Sequence, residues 1–378
     1  MKNSVLLTVF VLLSILIPPV HAEDQINYIS QPDEMVVFLN DIAYVRDTLR
    51  IPGDAEARIV LPAQVYQDTL IVRQGDMRVP EYRISSTSGS IILLIGATEN
   101  ADLRSVTLEY LTAGASWKPS YDMAFSEGEA ESVDFHFFAE LRNDIFALDG
   151  VDVKLAAGNV STSQQIGAAS TVTMNQYITG YQDDSSAALA QGAVTLQYLY
   201  PLEKPISAEA GETLYMQLLG TTLPARRLLL WNASSDKQVT VIYKVENTSD
   251  VPLSEGIVRS YQDGLFVGSD FIEFTPLGAE GSVTVGGLQD VRVNRTDTTT
   301  YNDRLNYERQ TLHAITLTMR NFTQNPLDLE VVESYPVGGL EFEYSAQPEV
   351  EAGNRLRWQM TIPANGTLEI TYSYRASS

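Results

Sequence analysis

The sequence contains no cysteine in its 378 residues. Disulfide bonds, lipid-modified cysteine anchors, thiolate metal ligands and cysteine nucleophiles are therefore all excluded. Because sulfur provides no crosslink, a packed hydrophobic core has to hold the fold together. A chain of this length is long enough to build such a core in more than one domain.

Histidine is also scarce, and only His136 and His313 follow the first 22 residues. Either could serve as a general base, but both lie in or beside strand-like stretches, where we expect solvent-facing histidines. The chain lacks the EF-hand spacing, H-E-x-x-H, the P-loop and the dinucleotide fingerprint. We therefore expect no cofactor, with calcium held by loop carboxylates as the alternative for an acidic exported protein.

Paired carboxylates offer another route to chemistry. Asp149 and Asp152 flank a turn glycine, and Asp183 and Asp184 are adjacent. Glycosidases need two carboxyl groups roughly 5 to 9.5 Å apart across a cleft, a distance that a sequence does not show. Turn formation and a solvated loop are the simpler interpretations. A secreted carboxylate-dependent hydrolase acting on envelope polysaccharide or peptide is kept as the alternative function.

Basic residues are few, with 25 Lys and Arg against 48 Asp and Glu and a formal net charge of −23. Such a chain repels phosphate backbones and anionic lipid headgroups. Nucleic acid is therefore excluded as the expected partner, and the charge is interpreted mainly as a source of solubility.

Long hydrophobic runs are confined to the first 22 residues. Lys2 precedes an uncharged apolar run from Val5 to Ile17, and Val20-His21-Ala22 resembles a cleavage site. This pattern predicts a secretory signal peptide over residues 1–22. The run is shorter than the roughly 20 apolar residues of a membrane helix, and an uncleaved signal anchor is the alternative interpretation. We expect an exported protein, extracellular or associated with the cell envelope, with no membrane span in the mature chain.

Strict alternation of apolar and polar residues fills the rest of the chain. In LRWQMTI (356–362) every second residue is apolar, and LEITYSYR (368–375) repeats the pattern after the turn PANG. Successive side chains of a strand leave opposite faces, so this period predicts half-buried strands, and these two stretches are predicted to form an antiparallel hairpin that closes the domain. Turns such as Asp149-Gly150 and Asp263-Gly264 are expected between the strands. The sequence predicts an all-β fold of antiparallel β-sandwich or barrel domains with few or no long helices.

The strand-like stretches group into two units. Residues 23–103 are predicted to form an N-terminal β domain, and residues 104–378 a larger C-terminal β-sandwich domain. Within the latter, residues 161–192 are small, polar and aperiodic. Such a segment buries too little apolar surface to offset its ordering entropy, so we predict a mobile loop insertion.

The stretch TAGASWKPSYD (112–122) combines serine, lysine and tyrosine as an active-site loop would. A nucleophilic serine needs a base within reach and commonly a G-x-S-x-G elbow, which is absent around Ser116. A structural corner explains more of the residues, because glycine permits a sharp turn, proline restrains φ and the aromatic rings bury large surfaces. The residues assigned to this corner are Gly114, Trp117, Pro119 and Tyr121.

Six acceptor sequons make N-glycosylation a candidate modification in an organism that glycosylates exported proteins. They lie at Asn159, Asn232, Asn247, Asn294, Asn321 and Asn365.

Several stretches of the chain resemble a known family, and they occur in the order seen in the mucoidy-inhibitor-A-like proteins. They are SVTLEYLTAGASWKPSYDMAF, VDFHFFAELRNDIFALDGVDVKLAAGNVS, LPARRLLLW, VIYKVENTSDVPLSEG, VTVGGLQDVRVNR and LTMRNFTQNPLDLEVVESYP. The match is to their C-terminal domain of unknown function (domain-of-unknown-function family 4139). FLNDIAYVRDTLRIPGDAEARIVLPAQVYQDTLIV is similar, less specifically, to their N-terminal β domain, and the coiled coil that many members carry between the domains is missing. The resemblance implies a β architecture in an envelope setting and no established catalytic residues.

These observations favour an exported, non-enzymatic β-protein of the cell envelope with a binding or scaffolding role. Its partner is expected to be an envelope protein or a glycan, recognised through exposed strand edges and the 161–192 loop. The sequence leaves the oligomeric state open.

Overall fold

A computed structural model of the chain describes residues 26–87, 89–99, 102–126, 131–158, 198–303, 309–336 and 339–377. The one helix in these ranges is the three-residue 3₁₀ helix Gln67–Thr69, and all other regular elements are strands. The all-β prediction is therefore confirmed. No helix of the described chain is long and apolar enough to cross a membrane. The predicted signal peptide and the 161–192 insertion lie outside these residues.

Contacts divide the chain into two compact units, one formed by Met1–Met35 and Tyr44–Ala113, the other by Val36–Ala43 and Gly114–Ser378. This division falls one strand later than the boundary expected at residues 103 and 104. The predicted domain limits stay a prediction.

The first unit contains strands of two sheets, which carry the alternating pattern. One has the order β1-β4-β8-β7, with β1 parallel to β4 and the other pairs antiparallel, and β3, β9, β5 and β6 follow one another in the second. Their strands are β1 (Ile26–Ile29), β2 (Glu34–Val37), β3 (Ile42–Pro52), β4 (Ala57–Pro62), β5 (Ile71–Gln74), β6 (Met77–Arg78), β7 (Arg83–Thr87), β8 (Ser90–Ile95) and β9 (Leu103–Ala113).

The second unit contains the remaining seventeen strands. They are β10 (Ala115–Phe125), β11 (Ser132–Asn143), β12 (Leu148–Ala157), β13 (Tyr198–Pro201), β14 (Ile206–Ala208), β15 (Glu212–Asn232), β16 (Val239–Glu246), β17 (Gly256–Gln262), β18 (Leu265–Ile272), β19 (Glu280–Leu288), β20 (Val291–Asp303), β21 (Arg309–Asn321), β22 (Leu327–Ser334), β23 (Gly339–Tyr344), β24 (Glu349–Glu351), β25 (Arg355–Ile362) and β26 (Thr367–Ser377).

The 21-residue strand β15 joins two parts of the second unit. Its first half pairs with β11, and its second half pairs with β16 on one side and β22 on the other. Strands β18, β17, β10, β11, β15, β16 and β19 follow in sequence through the sheet. The sheet curves so that its end strands β18 and β19 come together. The Asp270 carboxylate on β18 accepts a hydrogen bond of 2.5 Å from the Thr284 N–H on β19. Aromatic rings fill the interior, with Tyr121 stacked on Phe137 at 4.6 Å between centroids.

A second core lies between β15, β22 and β25 on one side and the four-stranded sheet β20-β21-β26-β23 on the other. Trp231, Trp358 and Leu317 are buried in it. The predicted closing pair LRWQMTI and LEITYSYR consists of β25 and β26, but these strands pair with β22 and β21 instead of with each other. The predicted hairpin is therefore wrong, since the two strands lie on opposite layers of this core.

Candidate protein-binding surface

The hairpin β17–β18 lies at the end of the curved sheet. Its turn is Asp263-Gly264, with φ of 50° and 81°, and Gln262 pairs directly with Leu265. Positive φ at both central residues is the geometry that tight two-residue hairpins require, and Asp-Gly suits it. The turn signal in the sequence therefore correctly placed this hairpin.

The two faces of the hairpin have different environments. On the inner face Val258 and Ile272 are fully buried. On the outer face Ile257 and Phe271 are directly paired across the strands and are 55% and 53% exposed. Polar residues usually occupy the solvent face of such a pair, so two large apolar side chains side by side require an explanation.

The exposed apolar residues continue around the turn. Phe266 is 60% exposed and packs edge-on against Tyr261 at 5.8 Å between ring centroids. Leu265 at the turn is 73% exposed and lies opposite Gln262, one position out of phase with the outer-face residues. We call Ile257, Leu265, Phe266 and Phe271 the hairpin patch. Contiguous exposed apolar surfaces on soluble domains mark interaction sites, whereas isolated exposed residues do not.

Charged residues border the hairpin patch. Arg259 lies between its two ends and forms an ion pair with Asp122 on β10, with Nε 2.8 Å from Oδ1. The surrounding acidic side chains are Glu255, Asp263 and Glu273, all of them exposed. An apolar centre with an acidic rim complements a partner whose apolar contact residues are bordered by Lys or Arg.

The corner residues predicted from TAGASWKPSYD lie at the start of β10. Gly114 forms the turn before the strand at φ 95°, and an added Cβ would come within 2.9 Å of Ile145. Trp117 is fully buried and donates from Nε1 to the Ala156 carbonyl at 3.0 Å. Only Gly114 turns the chain, because Trp117 lies within a regular strand.

Two further corner residues lie where β10 begins to pair with β17. Tyr121 is fully buried and donates its hydroxyl to the Ser254 carbonyl at 2.7 Å, and burial raises its pKa well above the usual value. Pro119 pairs with Ala139 on β11, and the parallel pairing with β17 begins at the next residue, Ser120. Both residues therefore lie where the strand acquires its second neighbour.

The register of β10 and β11 separates Ser116 from a histidine base. Ser116 lies opposite Arg142, whereas His136 lies opposite Asp122, six residues further along β10. At about 3.3 Å per residue this is a distance of about 20 Å. His136 instead lies 3.3 Å from the Gln217 amide nitrogen. The arrangement gives Ser116 no general base from His136.

His313 departs from the solvent-facing position expected for it. It stacks on Tyr374 at 4.8 Å between centroids, and its Nδ1 lies 3.2 Å from the Asp297 carboxylate. It shares a strand face with the buried Ile315. Nearby, the fully buried Glu333 carboxylate receives Arg295 Nε at 3.1 Å, and burial raises the pKa of Glu333 despite this cation. These polar groups lie beside the second core, next to Tyr372 and Tyr374.

A polar cleft of about 300 Å³ lies beside the start of β10. Glu140 faces Lys118 across the strands, and Asp144 forms an ion pair of 2.7 Å with Arg142. Of the paired acids considered from the sequence, Asp149 and Asp152 are exposed on β12, and Asp183 and Asp184 lie outside the described residues. Among the described residues no group of three or more acidic or histidine side chains could hold a metal ion.

The sequons fall into distinct environments. Asn294 and Asn365 are exposed, Asn232 is half-buried, and Asn159 lies outside the described residues. Asn247 and Asn321 are fully buried. The amide nitrogen of each donates to backbone carbonyls, at 3.0 Å to Val251 O and 2.8 Å to Asn325 O respectively. Glycosylation of either residue would replace one amide hydrogen and require space for a sugar beside a fully buried nitrogen. Use of any sequon stays a prediction.

The sequence pattern did not identify the hairpin patch as a site. In this region it singled out only the turn Asp263-Gly264. The available signal was that both strands carry apolar residues at adjacent positions, so that apolar side chains occur on both faces. Such a pattern is typical of strands covered on both sides, whereas one face is open here.

Comparison with known families matches residues 106–377 to DUF4139, a domain of unknown function. This chain belongs to that family. The match covers β10 to β26 and thus the whole hairpin patch. A search of curated proteins found no match.

Proposed function

We propose that this DUF4139 protein is an exported, non-enzymatic binding protein of the cell envelope, and that a partner protein contacts it through the hairpin patch. The observation that carries the proposal is the direct pairing of the exposed Ile257 and Phe271 on the outer face of β17–β18. Removing this apolar surface from water on binding would supply the driving force.

Export is proposed from the first 22 residues, whose single lysine, apolar run and small-residue end are typical of a signal peptide. A closer relation to the mucoidy-inhibitor-A-like proteins is part of the proposal. It is supported by the ordered stretches of the C-terminal domain and by the similarity of residues 38–72 to the N-terminal β domain of that family.

The rigid frame favours recognition without a large conformational change. The hairpin is held by its ladder to β10 and by the Arg259–Asp122 ion pair. A preformed surface loses little conformational entropy on binding, so a modest apolar area can give useful affinity. The acidic rim selects partners that carry basic residues around an apolar contact.

The test is cross-linking mass spectrometry on intact source cells that carry either the natural chain or the double variant Ile257→Ser/Phe271→Ser. Both side chains are exposed, so the variant should fold normally. We expect the natural chain to be joined reproducibly to one envelope protein and the variant to be joined about tenfold less, as loss of two buried apolar contacts implies.

Tyr215→Ser is the matched control, since Tyr215 is 74% exposed on β15, three strands away from β17. It should leave the cross-links unchanged. Equal capture by the double variant would remove the hairpin patch from the proposal. Recovery of the protein only in the medium, with no reproducible partner, would overturn the binding role, and links to glycan alone would replace the partner protein with a polysaccharide.

The polar cleft near β10 is the observation that favours the alternative, a secreted carboxylate-dependent hydrolase. Asp41, Glu140 and Asp144 all line it. Asp144 forms an ion pair with Arg142, and Glu140 lies opposite Lys118 across the strands, so both acids have basic neighbours on a sheet surface. Release of reducing ends or peptide fragments from envelope material, abolished by Glu140→Gln, would establish the hydrolase and replace our proposal.

A further inference from the structure

The first unit contains a cavity of about 610 Å³. Its walls are the β5–β6 turn, the segment leading into β7, the end of β8 and the first residues of β9. This volume lies within the range of about 300 to 1,000 Å³ that is common for small-molecule sites. The cavity lies in a different unit from the hairpin patch, so the two proposals are independent.

Positive charge is concentrated around this cavity. Arg78, Arg83 and Arg104 line it, and the one acidic lining residue is Glu81. The whole chain has 25 basic against 48 acidic residues. Three arginines against one carboxylate are therefore the reverse of the overall balance. Such a local excess attracts anions in a protein that repels them elsewhere.

Two of the three arginines have no carboxylate partner within the described residues. Arg83 is paired with Glu56 at 2.7 Å, whereas no ion pair involves Arg78 or Arg104. Arg104 is half-buried and donates from Nη2 to the Gly96 carbonyl at 2.6 Å. Its Nε is buried without a hydrogen-bond partner. Burial lowers the pKa of Arg104, and no nearby charge opposes this shift.

A partly buried, unpaired guanidinium is costly, and a bound anion would compensate it. The rest of the cavity provides an apolar surface for the body of such a ligand. Ile95 is buried, Leu94 and Tyr82 are half-buried, and all three line the cavity. Tyr82 is held in place by its hydroxyl, which donates to the Leu70 carbonyl at 3.3 Å. The segment before it is fixed by the Val79 N–H, which donates to Val72 O at 2.9 Å.

We propose that this cavity binds a small ligand with a carboxylate or phosphate group attached to an apolar or aromatic body. The anionic group lies against Arg78 and Arg104, because guanidinium groups bind both kinds of anion with paired hydrogen bonds. The apolar body lies against Leu94, Ile95 and Tyr82. Net charge and cavity shape together select an amphiphilic anion over a neutral molecule of the same size.

Titration calorimetry on the full chain tests the proposal with three probes: 4-phenylbutyrate, phenyl phosphate and the uncharged 4-phenylbutyramide. We expect saturable binding of at least one anionic probe and at least about tenfold weaker binding of the amide, the loss expected for one charge-assisted hydrogen-bond pair. The two anionic probes distinguish a carboxylate site from a phosphate site.

Arg78→Gln and Arg104→Gln should each weaken anion binding about fivefold or more, and raised salt should weaken it further. Arg78 is exposed, so its variant tests the site without a risk to folding. Arg50→Gln, an equal charge change on β3 outside the cavity, should leave binding unchanged. Failure of both anionic probes to bind, equal binding of the amide, or insensitivity to Arg78→Gln would overturn the proposal.

Discussion

Two pairs of sequons in the second unit share the pattern N-x-S/T and have opposite environments. Asn247 and Asn321 are fully buried at strand ends, whereas Asn294 and Asn365 are exposed. The buried pair continues as N-T-S-D-V-P-L and N-F-T-Q-N-P-L. The exposed pair lacks the following proline and leucine. The longer pattern N-x-S/T-x-x-P-L therefore marks a backbone corner, in which the asparagine side-chain amide forms the hydrogen bonds that a peptide group would otherwise form.

The two buried corners are built alike. In the first, the Asn247 Oδ1 accepts from the Ser249 hydroxyl at 2.6 Å, and its Nδ2 donates to Val251 O at 3.0 Å and Thr275 O at 3.1 Å. In the second, the Asn321 Oδ1 accepts from the Thr323 hydroxyl at 2.8 Å, and its Nδ2 donates to Asn325 O at 2.8 Å and Pro363 O at 3.2 Å. Each corner thereby ties one strand end to a distant loop.

The largest expected effect is the loss of a buried corner amide. Asn321→Ala leaves the Thr323 N–H without its partner in the core. It also removes one hydrogen bond each from the carbonyls of Asn325 and Pro363, which keep the Thr323 hydroxyl and the Gly366 N–H as donors. We expect a loss of about 3 kcal/mol in the free energy of unfolding, measured by urea denaturation. Asn365→Ala is the exposed control and should cost less than about 0.5 kcal/mol. Equal losses at the two positions would contradict the comparison.

A buried carboxylate in the first unit sharpens the contrast with these neutral amides. Asp47 is buried, and burial raises its pKa to about 6, while the Ser30 hydroxyl donates to it at 2.6 Å. The folded-state pKa of Asp47 exceeds its unfolded value. The contribution of Asp47 to the free energy of unfolding is therefore highest below about pH 4 and falls as the pH rises to about 6. The expected loss is on the order of 2 to 3 kcal/mol.

Asp47→Asn keeps an oxygen acceptor for Ser30 and removes the titration. We expect the variant to lack the part of the pH dependence between about pH 4 and 6, and to exceed the natural chain in stability at pH 7. Unfolding curves of both chains across this range provide the measurement. An unchanged pH dependence in the variant would assign the titration to another group.

A smaller effect is expected from the corner hydroxyls. Thr323→Ala removes one hydrogen bond to the Asn321 Oδ1 but leaves the backbone N–H of residue 323 in place. We expect a loss of about 1 kcal/mol, since a single neutral hydrogen bond contributes about that much. Thr323→Ser should restore most of the loss. No recovery with serine would show that the methyl group, and not the hydroxyl, is responsible.

The smallest effect on stability is expected from glycosylation itself. When the chain is secreted by a glycosylating host, Asn294 and Asn365 should accept glycans if their sequons are used, whereas folded Asn247 and Asn321 should not. Mass spectrometry of glycosidase-treated peptides locates each modified asparagine. A glycan on Asn321 of the folded protein would contradict the burial of this asparagine.

Local pattern was informative about strands and turns. The period of two in β25 and β26, and the Asp263-Gly264 turn, follow from steric rules that act over a few residues. The sequence predicted burial of the Trp117 and Tyr121 rings as parts of a structural corner, whereas the structure places both rings on the inner face of the regular strand β10. It failed for the pairing of β25 and β26, since strand partners are chosen by long-range packing.

The hairpin patch and the arginine cavity could not be predicted in this way. Ile257 and Phe271 are apolar, and a period-based argument assigns such residues to a core. Their exposure depends on the absence of a covering layer over the outer face of β17–β18 in the described chain. Likewise, Arg78 and Arg104 are 26 positions apart by residue number, and they line the same cavity because β6 and β9 flank β5.

The sequence by itself therefore determined the all-β class, the strand faces and the turn at Asp263-Gly264, because these depend on the alternation of side chains and on backbone conformations available to single residues. Asp149-Gly150, also expected to be a turn, lies within β12 at an irregularity of its pairing with β14. Only the tertiary structure decided which asparagines are buried corners, how far Ser116 lies from His136, and which arginines surround a cavity. These properties depend on the register and pairing of strands distant in the chain, which are selected by the free energy of the whole packed core.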